Sequence, residues 1–321
     1  MADVPYYFCY DTLACLSHTP EAPTWQPSTP SATEASNPIL LPGEWFNAAK
    51  RFTDTVILKA KLAKHTDNEW HYSISKLDDD NDTYTLDRLL TMNMDKYRFL
   101  EITVGCTSMD AVHGEHIDEA PWTQLIYSDP VVSTKDLNQT LVPLIIAQLA
   151  DPAKLDIYGC DDFDVASRFA SLQHVKKLHL NYEPGLELIL KQKVAQNDLR
   201  LLNVSGSWPH ECLVDFETTA RSKNLMELQL HQLPWLVSPE VVKGFVDRWK
   251  EADGKVKMLL TGKPYFEPEE VKVLFDTCEV EGEKRSKVYT MEAKTGQHLL
   301  SIQFKNSGFM MLSVCLSDCG C

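Results

Sequence analysis

Three carboxylates lie together where a predicted strand gives way to a predicted helix: Asp161, Asp162 and Asp164. Carboxylates at this edge of an open α/β sheet can act as general acids or bases or can bind a metal ion. Aspartate at the start of a helix is also a common cap, because it complements the helix dipole. We take capping as the main interpretation and keep an α/β enzyme with an acidic site at these three residues as the alternative.

Other residues with catalytic or ligand potential lack the partners that such chemistry needs. His113 and His116 stand three apart, but nothing nearby supplies further ligands at a typical zinc spacing. Cys212 follows His210 by two residues, and residues two apart on a helix do not face each other. The sequence also contains no GxGxxG, GxSxG, HExxH or CxxC pattern. It therefore predicts a non-enzymatic protein with no catalytic residue, metal or cofactor.

The composition excludes several classes of partner. The 321 residues include 31 basic and 46 acidic side chains, a net charge of -15, which argues against nucleic-acid binding. No apolar run approaches the ~18 residues that a membrane-spanning helix needs, and the first residues do not resemble a signal peptide. Nine irregularly spaced cysteines, including Cys315, Cys319 and Cys321, are typical of reduced thiols. We expect a cytoplasmic or nuclear protein without a membrane span.

Changes in composition divide the chain into five predicted segments. Alternating apolar residues predict a hairpin over Thr55–Lys64 and Trp70–Leu77. Ser133–Leu149 predicts a helix that Pro143 should either kink or mark as the true first turn. The segments are a short apolar head (1–19), a Pro/Ser/Thr-rich linker (20–38), a mixed α/β region (39–150), a repeat region (151–285), and a C-terminal antiparallel meander with a Cys-rich tail (286–321).

The repeat region contains a recurring strand pattern in which two aliphatic residues flank a polar one. It begins at residues 155, 178, 202 and 228, in steps of 23, 24 and 26 residues, with a degenerate fifth copy at Met258. Predicted helices lie between the copies. A period of about 20–29 residues is typical of leucine-rich repeats. The sequence therefore predicts an α/β fold with a curved, leucine-rich-repeat-like parallel sheet and outer helices, preceded by the mixed α/β region and closed by the meander.

The polar residue in the middle of each strand pattern is the best candidate for partner contact. Because strand side chains alternate between the two faces, His179, Asn203 and Gln229 should point away from the buried aliphatic residues. Trp208 and Trp235 follow two of these strands, in loops that share one rim of the predicted stack. If these tryptophans are exposed, they would be binding anchors. If they are buried under their loops, they would be part of the core, and both alternatives stay open.

The head adds a family resemblance. Val4-Pro5-x-x-Phe8, with Leu13 and Leu16, resembles the opening of an F-box. Followed by degenerate leucine-rich units such as Val175–Asn181 and by a C-terminal meander, it resembles the nematode-expanded set of F-box and F-box-like proteins. This resemblance implies a substrate receptor of a cullin-type ubiquitin ligase, in which Val4, Pro5, Phe8, Leu13 and Leu16 contact a Skp-type adaptor.

Overall fold

The computed structural model describes residues 54–65, 68–107, 130–158, 163–231, 237–281, 286–294, 296, 298–305 and 308–316. Several residues singled out above lie outside these ranges: Val4, Pro5, Phe8, Leu13, Leu16, Asp161, Asp162, Trp235, Cys319 and Cys321.

One sheet of thirteen strands forms the frame of the described structure. Its strands are β1 Val56–His65, β2 Trp70–Lys76, β3 Tyr97–Thr107, β4 Val131–Val132, β5 Leu149–Tyr158, β6 Val175–Asn181, β7 Leu201–Ser205, β8 Glu227–Leu230, β9 Leu259–Gly262, β10 Thr277–Glu281, β11 Ser286–Glu292, β12 His298–Phe304 and β13 Met310–Leu316. Their order across the sheet is β10-β11-β12-β13-β9-β8-β7-β6-β5-β3-β1-β2-β4.

The helices lie between the strands in the chain. They are α1 Leu86–Thr91, the continuous helix α2 built from Thr134–Asp136, Leu137–Leu141 and Val142–Ala147, then α3 Phe163–Ala170, α4 Leu186–Gln196, α5 Leu213–Ala220, α6 Pro239–Glu251 and α7 Pro268–Val271. Among the described residues, no helix is long and apolar enough to cross a membrane. The mixed α/β class predicted from the sequence is confirmed.

The parallel centre of the sheet follows the chain without reversal. Strands β1, β3, β5, β6, β7, β8 and β9 are parallel neighbours in that order. Each helix from α3 to α6 contacts the next helix along the chain, so these helices form one layer on one face. A doubly wound sheet would instead show a reversal of strand order, with a ligand crevice at that point. The seven parallel strands contain no such reversal, and the strands on the far side of β1, namely β2 and β4, pair antiparallel.

The sheet joins two segments that the sequence separates. Strand β3, from the mixed α/β region, pairs in parallel with β5, from the repeat region. At the other end, β13 pairs antiparallel with β9, and β10 to β13 pair antiparallel in sequence. The sequence pattern predicts three strands in this last part, over Lys287–Glu292, His298–Lys305 and Phe309–Val314, whereas the structure adds β10 before them.

Helix α2 differs from its prediction at two points. It ends at Ala147, and Leu149 begins β5 instead. Pro143 has no amide hydrogen to donate, and the helix accommodates it with a wider turn just before it, in which the Val142 amide donates to the Leu137 carbonyl.

Basic side chains connect successive helical units. Arg168 of α3 donates to the side chain of Asn138 in α2, at 2.9 Å. Lys193 of α4 donates to the carbonyl of Leu172, which follows α3. Arg248 of α6 donates to the carbonyls of Ser222 and Leu225, which follow α5. Each contact joins one helical unit to the unit before it in the chain, so these side chains hold neighbouring units together.

Candidate functional site

The face of the sheet opposite the helices carries partly exposed and mainly polar residues. In β6, for example, Leu178 and Leu180 are buried, whereas His179 between them is half-buried. The open face, as we name it, consists of alternate residues of β5 to β9: Lys154, Asp156, Lys177, His179, Asn181, Leu201, Asn203, Ser205, Glu227, Gln229, Leu259 and Thr261.

The described helices lie on the other side. The amide of Leu86, at the start of α1, donates to the Tyr72 hydroxyl, which belongs to the buried face of β2. Helix α2 contacts α3 through Asn138 and Arg168. Parallel sheets are usually covered on both faces, and stacked-repeat proteins are the main exception, since they bind partners on their exposed sheet. The open face is therefore the candidate functional surface.

The strand register aligns the predicted contact residues in one row. Asp156, His179, Asn203, Gln229 and Thr261 lie directly opposite one another on β5 to β9. With strands about 4.8 Å apart, this central row is about 19 Å long. The register is fixed because each of these strands also buries an aliphatic residue beside the row, and a slip by one position would expose it.

Asp156 and His179 form the most buried polar contact in the central row. His179 Nδ1 lies 3.1 Å from Asp156 Oδ1, and Lys154 Nζ lies 3.0 Å from Asp156 Oδ2. Asp156 is only 7% exposed, and this burial raises its pKa to about 6. The positive charge of Lys154 acts in the opposite direction, whereas the negative charge of Glu101 adds to the rise. Burial, reinforced by Lys154 and Lys177, lowers the pKa of His179 to about 4.

The chemistry available to this pair follows from those shifts. At neutral pH the His179 imidazole is uncharged, and its Nδ1 faces the carboxylate. A neutral imidazole offers one donor and one acceptor. The side chain is thus suited to a directed hydrogen bond with a molecule on the open face.

Gln229 is held in position by its neighbours on the same strand face. Its amide nitrogen donates to Glu227, and its amide oxygen lies 3.0 Å from Nε2 of His231. The His231 ring stacks on Phe309 at 6.1 Å, and burial lowers the pKa of His231. Asn203, by contrast, makes no side-chain hydrogen bond with another described residue, so its amide is available to a ligand.

The sequence interpretation missed Asp156 and His231. Asp156 occupies the same position in its strand pattern as His179, Asn203 and Gln229, and that position is the signal that could have identified it. His231 follows β8, and only the structure shows its contacts with Gln229 and Phe309.

Trp208 is part of the core, which is the second of the two alternatives given for it above. It is 2% exposed, its ring nitrogen donates to the Ser205 carbonyl at 2.9 Å, and its ring packs against Tyr182 and Phe216. An anchor must be exposed to reach a partner, so we remove Trp208 from the candidate binding residues and assign it to the core.

The alternative acidic site is not assembled from the described residues. Asp164 is exposed in the first turn of α3, whereas Asp161 and Asp162 lie outside the described ranges. Where the structure is described, no three His, Cys, Asp or Glu residues are arranged to hold a metal ion. Burial raises the pKa of the Cys212 thiol to about 11, which opposes formation of a nucleophilic thiolate.

Comparison with known proteins identifies no relative of this chain. No protein-family model, no curated protein and no solved structure matches the chain.

Proposed function

We propose that the chain is a non-enzymatic protein-recognition module that binds another polypeptide on its open face. The observation that carries this proposal is the central row, in which His179, Asn203 and Gln229 share one register on a face of the parallel sheet that none of the described helices covers. Amide and imidazole groups can donate and accept hydrogen bonds, which suits them to the main chain of a peptide.

The sheet order and the single helix layer support a leucine-rich-repeat-like architecture. In such an architecture, successive strand–helix units stack so that their strands line one concave surface. We propose that β5 to β9 form this surface. The antiparallel strands β10 to β13 would then cover the edge of β9, as a capping meander.

In its more specific form, the proposal makes the chain an F-box-like substrate receptor. The resemblance of the head supports this form, with Val4, Pro5, Phe8, Leu13 and Leu16 as the residues that would bind a Skp-type adaptor and, through it, a cullin. The open face would then present the substrate to a ubiquitin ligase in the cytoplasm or nucleus.

The recognition proposal is tested by photo-crosslinking. We expect the full chain with Asn203→p-benzoylphenylalanine, expressed in its own cells, to crosslink to a distinct polypeptide that mass spectrometry can identify. The matched control is the same replacement at Leu188, which is 73% exposed on helix α4. Equal crosslinking from both positions, or none from position 203, would contradict recognition on the open face.

The adaptor is tested separately with purified components. The full chain should bind a recombinant Skp-type adaptor, and Pro5→Ala/Phe8→Ala should weaken that binding by at least roughly tenfold, since hot-spot apolar residues dominate interface energies. Titration calorimetry measures the change. If the parent chain does not bind the adaptor, the receptor form is wrong, while recognition on the open face is judged by crosslinking alone.

A further inference from the structure

We infer that the open face binds an extended peptide that carries one acidic and one basic side chain three residues apart. The acidic side chain would lie over Lys177 and the basic side chain over Glu227. This inference rests on the proposed function and names the class of polypeptide that the face would recognise.

The charges come from a second row of the open face, beside the central row. Lys177, Leu201, Glu227 and Leu259 lie opposite one another on β6 to β9. This charge row places a cation and an anion on either side of Leu201. An ammonium group and a carboxylate separated in this way favour a ligand with the opposite arrangement of charges.

Neither charge is neutralised by another described residue. The neighbouring cations have carboxylate partners, since Lys154 pairs with Asp156 and Lys176 pairs with Asp151 at 2.8 Å. Lys177 forms no ion pair with another described residue, and its neighbour across the strands, Lys154, is a second cation. Glu227 accepts a hydrogen bond from the neutral amide of Gln229 and forms no ion pair with another described residue.

The spacing of the charge row sets the spacing in the ligand. Lys177 and Glu227 are two strands apart, a distance of about 9.6 Å between backbones. A peptide in the polyproline II conformation rises about 3.1 Å per residue with three residues per turn, so residues three apart lie on the same side about 9.3 Å from each other. The two distances match when the peptide lies across the sheet, roughly perpendicular to the strands.

The residues between the two charges fit the middle of such a peptide. Leu201 offers an apolar contact directly between Lys177 and Glu227. Asn203, on the same strand face, makes no side-chain hydrogen bond with another described residue, and its amide can donate to a peptide carbonyl and accept from a peptide N–H. Polyproline II peptides leave these main-chain groups without internal hydrogen bonds, so they are available for recognition.

The test is a peptide selection on the full chain. Displayed linear peptides of about twelve residues are selected on the immobilised parent and, in parallel, on the charge-reversal variant Lys177→Glu/Glu227→Lys. We expect the parent to enrich peptides with an acidic and a basic residue three apart in one order. The variant should enrich the opposite order, because its two charges are exchanged.

One enriched peptide is then synthesised with a fluorophore, and its affinity is measured by anisotropy. Lys177→Gln should weaken binding roughly tenfold, and added salt should weaken binding to the parent. Lys191→Gln is the matched control, because Lys191 is exposed on α4 on the other side of the sheet; we expect it to bind as the parent does. Circular dichroism shows whether the variants fold, and Lys177→Gln carries the test if the double variant does not.

The outcomes separate this inference from the proposed function. No enrichment, enrichment without the charge pair, or an order that the charge reversal leaves unchanged would overturn the inference. If crosslinking from position 203 still succeeds, recognition on the open face stands and only the ligand class is wrong. If crosslinking fails as well, both are wrong.

Discussion

Replacing Lys193 by methionine is expected to lower the free energy of unfolding by roughly 3 kcal/mol. Lys193 is fully buried in helix α4, where its Nζ lies 3.2 Å from Asp198 Oδ1 and donates to Gln196 and to the Leu172 carbonyl. Methionine keeps an unbranched apolar side chain, one atom shorter than lysine, but removes the charge and every donor. The Asp198 carboxylate then loses its counter-ion, and the Leu172 carbonyl keeps the Val175 amide as a donor but loses its link to α4.

Two further variants distinguish the loss of the buried Lys193 contact from the general effect of replacing a lysine on stability. Lys191 is exposed on the same helix, and Lys191→Met should change the stability by no more than about 0.5 kcal/mol. The double variant Lys193→Met/Asp198→Asn should recover part of the loss, because removing both charges leaves neither unpaired. Urea unfolding followed by circular dichroism measures all three variants. If Lys193→Met unfolds at the same urea concentration as Lys191→Met, the buried contact does not stabilise the fold.

This contact matters for the open face because the helices that it joins belong to the same strand–helix units as the strands of the central row. Lys193 joins α4 to the end of α3, and Arg168 and Arg248 make comparable contacts elsewhere in the helix layer. On the opposite side of the same strands, His179 and Asn203 lie side by side. The helix layer therefore holds in place the side chains that we propose to bind a peptide.

The central strands were predictable because their signal is local. Each of the patterns at residues 155, 178, 202 and 228 alternates aliphatic and polar residues, and each lies within a strand of the structure. The pairing of β3 with β5 was not predictable in this way, because about forty residues separate the two strands and no local pattern encodes their register. Strand β10 was missed although it pairs with β11, the next strand in the chain; its residues Glu279 and Glu281 belong to a type that strands disfavour.

The site was predictable only where one strand determines it. Alternation is enough to orient His179, Asn203 and Gln229. Aspartate is unfavourable in strands, so the strand sequence alone does not account for Asp156 at this position. Its contacts with Lys154 and His179 do, and His179 lies on another strand. The burial of Trp208 likewise depends on Tyr182 and Phe216, which come from other elements.

The replacement Asp156→Asn is expected to make the protein lose stability, relative to the parent, as the pH falls from 7 to 4.5. In the parent, the pKa of Asp156 is about 6, above its ordinary 3.8. Its contribution to stability is therefore complete below pH 3.8 and is lost as the pH rises through 6. The pKa of His179 is about 4, below its ordinary 6.5, so its contribution is complete above pH 6.5 and is lost as the pH falls through 4.

The two contributions oppose each other between pH 4 and 6.5, and asparagine removes only the first of them. Each pKa unit corresponds to about 1.4 kcal/mol, and solvent screening reduces the full shift, so the variant should lose roughly 2 kcal/mol relative to the parent over this range. His179→Gln should show the opposite trend and gain stability relative to the parent as the pH falls. Urea unfolding at a series of pH values measures both.

The double variant Asp156→Asn/His179→Gln decides whether the two residues are the source of these trends. Both contributions are then absent. We expect the stability of the double variant to change with pH in nearly the same way as that of the parent, and each single variant to differ more from the parent. If Asp156→Asn keeps a constant difference from the parent between pH 7 and 4.5, burial on the open face does not shift the pKa of Asp156. If it diverges as expected, protonation in the central row occurs within this pH range, and binding of a peptide there should change with pH as well.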